Sequence, residues 1–124
     1  MEAIHIPASE AEKHKIAGQW GSLVWMANQA LSGSSVAVAR LILTGGQSSS
    51  PQSGSRHRHA NADEVIYVYK GSVAVLAGEK TTLLQPGDAL TIPANVPHSI
   101  QNAGSADAEM TLSYSSGDRE YAAE

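Results

Sequence analysis

Six short runs of β-branched, aromatic and aliphatic residues, at 23–26, 36–43, 65–69, 73–76, 90–92 and 110–114, are each cut off by turn chemistry before they reach helical length. The breaks are built on glycine, with serine or proline beside it in four of the six: Gly33-Ser34-Ser35, Gly45-Gly46, Lys70-Gly71-Ser72, Ala77-Gly78-Glu79-Lys80, Pro86-Gly87-Asp88 and Ala103-Gly104-Ser105. Such residues supply the backbone angles that reverse a chain. Short strands at regular spacing with turns of this kind predict an all-β sandwich or barrel, and they leave helical repeats and α/β winding without support. Only the stretch 10–16 has helical character.

A length of 124 residues predicts one domain over 1–124, large enough to bury a single core without staples. The chain has no cysteine, which excludes disulfides, thiolate ligands and thiol nucleophiles; any metal must be held by nitrogen and oxygen. Eight scattered basic residues against twelve acidic ones do not make the clustered cationic surface that nucleic-acid binding requires. No segment approaches the roughly 20 apolar residues of a membrane span, and the amino-terminal stretch has no signal-peptide core, so the expectation is a soluble, cytoplasmic protein. The segment 45–55, rich in serine and glycine, offers nothing to bury and is expected to be a flexible loop, or a mobile lid, since it runs straight into His57.

The chemistry is concentrated in four residues. His57 and His59 are separated by one residue, so in a strand they share a face while Arg58 takes the other. Glu64 has the wrong parity for an unbroken strand from His59, but Ala60-Asn61-Ala62 is weak strand material, and a bend there resets the register. From Glu64, Ile66 and Val68 then share the inward face, with Tyr67 and Tyr69 pointing away. Further on, Asn95 can stand at the tip of a tight turn because asparagine tolerates left-handed backbone angles. His98 enters the next strand facing inward with Ile100 and Asn102. A single histidine is weak grounds for a ligand; three with a glutamate at these spacings suggest a four-ligand metal site drawn from separate strands.

These residues resemble the two sequence motifs of the cupin superfamily. His57, His59, Glu64 and Gly71 fit the first; Gly87, Pro93, His98 and Asn102 fit the second, with Asn95 in place of its second glycine. The first motif normally opens on a glycine where this chain has Pro51, and Gly46 points to a loop about five residues longer. The resemblance implies a double-stranded β-helix, or jelly-roll barrel, with one divalent ion (Fe, Mn, Ni, Co, Cu or Zn) on His57, His59, Glu64 and His98. Four protein ligands leave about two positions of an octahedron open, whereas structural metal sites tend to be closed. It further implies an enzyme acting on a small substrate that chelates through oxygen, with dioxygenase chemistry favoured and Glu64 serving also as general base. Metal-dependent isomerases, lyases and polyketide cyclases share such ligand sets, and a non-catalytic sensor barrel is the non-enzyme alternative. A homodimer is the family expectation.

Several other residues carry weaker expectations. Tyr114 shares a face with Met110 and Leu112 and reaches inward, while the remaining tyrosines and tryptophans are core or interface aromatics. Arg40, inside an apolar strand, points to solvent or an interface in preference to a cavity. Arg56 and Arg58 are expected to flank the mouth of the site, and Asp63 to face away from the ion. Asn102 is a turn residue or a partner that orients a ligand. His5 and His14 are expected on the surface, as is the polar tail 117–124. No phosphate-binding loop, nucleophile elbow or dinucleotide fingerprint is present, so catalysis must be metal-centred.

Overall fold

Alternation of inward and outward side chains organises the chain into two antiparallel sheets. The computed structural model describes residues 2–48 and 56–124. In chain order the elements are α1 (Ala8–Glu12), β1 (Ile16–Gly18), β2 (Gly21–Ala27), α2 (Gln29–Ser32), β3 (Ala37–Leu43), β4 (His57–Arg58), β5 (Glu64–Lys70), β6 (Val73–Ala77), β7 (Lys80–Leu84), β8 (Ala89–Ile92), β9 (His98–Asn102), β10 (Ala108–Tyr114) and β11 (Ala122–Ala123). One sheet has the order β1-β2-β3-β10-β5-β8 and the other β11-β4-β9-β6-β7. Among the described residues no helix is long and apolar enough to cross a membrane.

The period-two pattern decides which side chains meet. β3 buries Ala37, Ala39, Leu41 and Leu43, and β10 buries Ala108, Met110, Leu112 and Tyr114. The two pair throughout, from Ala108 opposite Leu43 to Tyr114 opposite Ala37. From the facing sheet, Val73, Val75, Leu84 and Ile100 join Ile66, Val68 and Met110 in one apolar cluster. Each fully buried Val, Ile, Leu or Met side chain contributes on the order of 1.5–3 kcal/mol, which makes the space between the sheets the main source of stability. Two antiparallel sheets face to face over one core form the double-stranded β-helix that the sequence motifs imply.

Close approach explains the motif glycine. At Gly71, with φ +75°, an added Cβ would lie 2.9 Å from both Ala108 Cα and Asp107 O. A side chain there is both strained and obstructed by backbone.

The helix expected over 10–16 is instead α1, Ala8–Glu12. Pro7, which cannot continue a helix backwards, precedes it, and Ile16 leaves it to pair with Leu23 at the edge of the first sheet. β7 is an addition to the strands that the sequence predicts. Its residues are mostly exposed because it is an edge strand, held to β6 by a two-residue connection at Gly78 and Glu79, with Ala77 opposite Lys80. Of the loop expected over 45–55, residues Gly45 and Gly46 form a turn and Ser48 bridges to Gln101. The rest, 49–55, lies outside the described residues.

Candidate metal centre

Strand pairing places two histidines side by side. His57 in β4 is the register partner of His98 in β9, with ring centroids 4.4 Å apart. Across the interior, Glu64 opens β5, opposite Tyr114 of β10 on one side and Ile92 of β8 on the other. His59 follows β4, and a turn at Ala60 and Asn61 separates it from Glu64. The bend that parity required between His59 and Glu64 is therefore present. Inward placement of Glu64, Ile66 and Val68, and of His98, Ile100 and Asn102, also follows the expected alternation.

A second turn locks this arrangement. Asn95 adopts φ 69°, and its backbone N–H donates to the His59 carbonyl at 2.8 Å. Asp63 is exposed and faces away from the histidines, but its carboxylate accepts from the Ala94 N–H at 2.8 Å. The loop carrying His59 and the loop leading to His98 are thereby tied together. The left-handed asparagine holds the site as a glycine at that motif position would.

One donor atom from each of His57, His59, Glu64 and His98 lies within 4.8 Å of the others, and all four residues are buried. Backbone carbonyls fix two of the rings. His98 Nδ1 donates to Val96 O at 2.9 Å and His59 Nδ1 donates to Glu120 O at 2.8 Å. A carbonyl can only accept, so each Nδ1 carries the proton and each Nε2 is turned toward Glu64. Both Nε2 atoms lie 3.1 Å from Glu64 Oε1. That of His98 is hydrogen-bonded, whereas that of His59 is buried with no hydrogen-bond partner among the described residues. A buried imidazole nitrogen aimed at a carboxylate and two further imidazoles fits a cation, since an orphaned polar atom in the interior is otherwise costly.

Electrostatics favour the ligating forms of two residues. Burial, reinforced by His98 and His59, pushes the His57 imidazole down to about 3, so it is neutral near pH 7. Burial acts to raise the Glu64 carboxyl, but attraction from His59 and His98 outweighs it and holds the group at about 2, ionised. Burial lowers His98 too, yet Glu64 and the Val96 carbonyl bring it above the ordinary imidazole value. Tyr114 is buried, and burial with the nearby Glu64 charge pushes its hydroxyl well above the usual phenol range.

A cavity of about 210 Å³ opens beside these donors. Its walls include Trp20, Leu23, Leu41, Ile100 and Leu112, with His57, Glu64, Tyr114, Arg119 and Tyr121 at the polar end. The tail lies largely on the surface, as expected, and two of its residues also line this end. Gly117 passes so near the Ser34 carbonyl that an added Cβ would come within 1.8 Å of its oxygen, and its own carbonyl accepts from Gln29 N–H. Asn61 binds the Asp118 carbonyl and the Glu120 N–H. Tyr121 then stacks on His57 with centroids 4.7 Å apart and ring planes 17° from parallel. β11 pairs with β4, Ala123 opposite His57. The only sequence signal for this strap is two ring- or cation-bearing residues, Tyr121 and Arg119, in an otherwise polar tail.

The arginines expected at the mouth do not line the cavity. Arg56 pairs with Glu124 and the Gly78 carbonyl, and neither Arg56 nor Arg58 is among the cavity walls. Arg119 takes that place. Arg40 points outward to Glu12, 3.2 Å away. Asn102 is a turn residue: its amide donates to Leu43 O and Ala106 O, and its oxygen accepts from Gly104 N–H. His5 and His14 are exposed.

The sequence profile for the Cupin domain matches residues 40–114. No curated protein sequence matches the chain. Among solved structures, a recombinant oxalate oxidase in complex with glycolate superposes with a TM-score of 0.73 at 19% identity, over 86% of this chain and 56% of that one. A Lactobacillus farciminis oxalate decarboxylase–formate complex gives 0.77 at 17% identity, over 87% of this chain and 32% of that one. A protein of Thermus thermophilus gives 0.60 at 29% identity, over 66% of this chain and 73% of that one. The chain thus spans about half the length of the oxidase and a third of the decarboxylase.

Proposed function

The chain belongs to the cupin family, and from that premise we propose that it is a metal-dependent enzyme acting on a small organic substrate that chelates through oxygen, of dioxygenase type. The observation that carries this reading is the convergence of four buried donors, His57, His59, Glu64 and His98, at the polar end of a largely apolar cavity. Those residues would hold one divalent ion (Fe, Mn, Ni, Co, Cu or Zn). When bound, the ion supplies Lewis acidity and, if it is redox-active, a place for dioxygen.

The protein's own part is positioning and proton control. Carbonyls of Val96 and Glu120 orient two imidazoles through Nδ1, so each ring already presents Nε2 to the site and needs no reorientation on binding. Glu64 is an ionised carboxylate in a nearly dry site, able to accept a proton from a bound substrate in addition to ligating. Tyr114 stays protonated beside it and can donate a hydrogen bond to a substrate oxygen. Leu and Ile side chains make much of the cavity wall apolar.

A redox-neutral reading, in which the enzyme is an isomerase, cyclase or lyase, is favoured by one feature: a proton-bearing hydroxyl and a carboxylate, Tyr114 and Glu64, line the same cavity. Oxygen uptake separates the two. Substrate-dependent oxygen consumption that stops under argon supports the dioxygenase; turnover of the same substrate at equal rate under argon overturns it in favour of the redox-neutral enzyme. We also place the chain in a homodimer, supported by the exposed Val65, Tyr67 and Tyr69 on the outer face of β5. Light scattering that gives the monomer mass at micromolar concentration would refute this.

A further inference from the structure

Arg119 is the cation on the wall of the cavity that His57 and Glu64 also line. Its guanidinium carbon lies 5.0 Å from the Trp25 ring centroid, 5.1 Å from that of Tyr114 and 5.4 Å from that of Tyr121. Ring faces hold a planar cation in place, but the N–H fork lies in the guanidinium plane and must bond elsewhere. The Tyr114 hydroxyl interacts with Arg119, yet a single hydroxyl cannot satisfy the whole fork. Nε of Arg119 is buried, with no hydrogen-bond partner among the described residues. Arg40 and Arg56 each pair with a glutamate, whereas among the described residues no carboxylate forms a salt bridge with Arg119. The Nε atom is itself enclosed, but Arg119 as a whole is only half-buried and lines the cavity, so the rest of its fork is what a ligand there can meet. Glu64, the acidic residue at the cavity, already has two imidazole nitrogens 3.1 Å from its Oε1.

The remaining walls say what that partner looks like. Trp20, Leu23, Leu41, Ile100 and Leu112 carry no charge and suit an apolar body. A volume of about 210 Å³ corresponds to on the order of seven water molecules, so the body is small. With a divalent ion on the four donors, one carboxylate and one guanidinium leave a surplus of positive charge facing the cavity. The planar fork matches a carboxylate with two parallel hydrogen bonds.

We propose that Arg119 is the residue that recognises the substrate and that the substrate is a compact organic carboxylate, its carboxylate on the guanidinium fork and its carbon body against the Leu and Ile wall. This deepens the preceding reading and rests on it only where the substrate's other oxygens meet the ion. The strap supplies the arginine, so specificity is set by the tail and the chemistry by the barrel.

The test is calorimetric binding of acetate, pyruvate and benzoate, each against its neutral amide, to the full chain in metal-free and metal-loaded form. The acids should bind and the amides should bind at least about tenfold more weakly, the loss expected for one charged hydrogen-bonded contact. R119Q should weaken the acids by a similar factor in both forms while metal content is unchanged. R119K keeps the charge and most of the stem, should recover part of the affinity, and carries the test if R119Q does not fold. Equal binding of acids and amides, no binding of any acid, an unaffected arginine variant, or inorganic phosphate bound more tightly than every acid would each overturn the proposal. Arginine-dependent acid binding by a protein that retains no ion would sink the metal-enzyme reading alone; a retained ion with indifference to R119Q would sink this inference alone.

Discussion

Asn61 lies outside the four-residue cluster, yet its removal should weaken metal binding. Its Oδ1 accepts from Glu120 N–H at 2.7 Å, and its Nδ2 donates to the Asp118 carbonyl at 3.0 Å and to Ser116 Oγ at 3.3 Å. The Glu120 carbonyl in turn holds His59 Nδ1 at 2.8 Å. Asn61→Ala deletes all three bonds, of which the two shorter, each worth about 0.5–1.5 kcal/mol net, account for a loosening of the strap by about 1–3 kcal/mol. The strap stays attached, because Arg56 still pairs with Glu124, β11 with β4, and Gln29 N–H with Gly117 O. Loss of a partner that orients a ligating histidine typically costs about 10–100-fold in affinity. We therefore expect Asn61→Ala to bind zinc or manganese about tenfold or more weakly in competition with a chromogenic chelator, with the melting temperature of the metal-free protein lowered only modestly. Ser116→Ala removes the longest Asn61 contact and the 3.2 Å bond that Ser116 Oγ accepts from Asp118 N–H, but leaves both shorter Asn61 bonds, so its metal affinity should fall less than that of Asn61→Ala. Unchanged metal affinity in Asn61→Ala would refute the idea that the strap orients His59.

Glu64→Gln removes the charge but keeps the shape, so it should retain part of the metal binding and lose turnover; preserved turnover would remove Glu64 from proton transfer. Gly71→Ala places a Cβ 2.9 Å from backbone atoms at a φ of +75° and should cost about 1–3 kcal/mol or more, read as a lower urea midpoint; an unchanged midpoint would contradict the close approach at β10. The metal-free protein should lose stability with acid. His57, at about 3 folded against an ordinary 6.5, contributes stability that is present above pH 6.5 and disappears as the pH falls toward 3. Glu64, at about 2 against 4.5, adds a loss below pH 4.5. His98 is raised, so its contribution is complete below pH 6.5 and fades only as the pH rises through its folded value. Melting temperatures across this range should therefore fall on the acid side of pH 6.5, and a flat profile there would contradict the burial of a neutral His57.

What can be read from the sequence is whatever alternation and turn chemistry control. Alternation fixes the face of every residue once a strand is granted, so the inward set Glu64, Ile66 and Val68 and the inward Tyr114 follow from position alone. Asn95 is legible because few residues accept its backbone angles. β7 is not, because an edge strand needs no buried stripe and its Thr81 and Thr82 look like loop as readily as strand. The C-terminal strap is hidden for a different reason. Its position depends on contacts with Asn61, Ser34 and Gln29, all distant in sequence, and no periodicity announces such contacts. Arg119 consequently carries no signal of its place, while Arg56 and Arg58, next to the histidines in sequence, attract the expectation. Adjacency along a strand is a poor guide to what lines a cavity when neighbouring residues point to opposite faces.

We expect His57, His59, Glu64 and His98 to hold one ion together. X-ray absorption spectroscopy of stripped protein reloaded with one equivalent of zinc or manganese addresses it directly, because imidazole rings give a distinctive multiple-scattering pattern. Three imidazoles with oxygen completing the shell, falling to two in His98→Ala together with a large loss of affinity, is the predicted result. Fewer imidazoles in the wild type, or a spectrum unaltered by His98→Ala, would mean that the ion sits elsewhere and that the convergence of these four side chains serves another purpose.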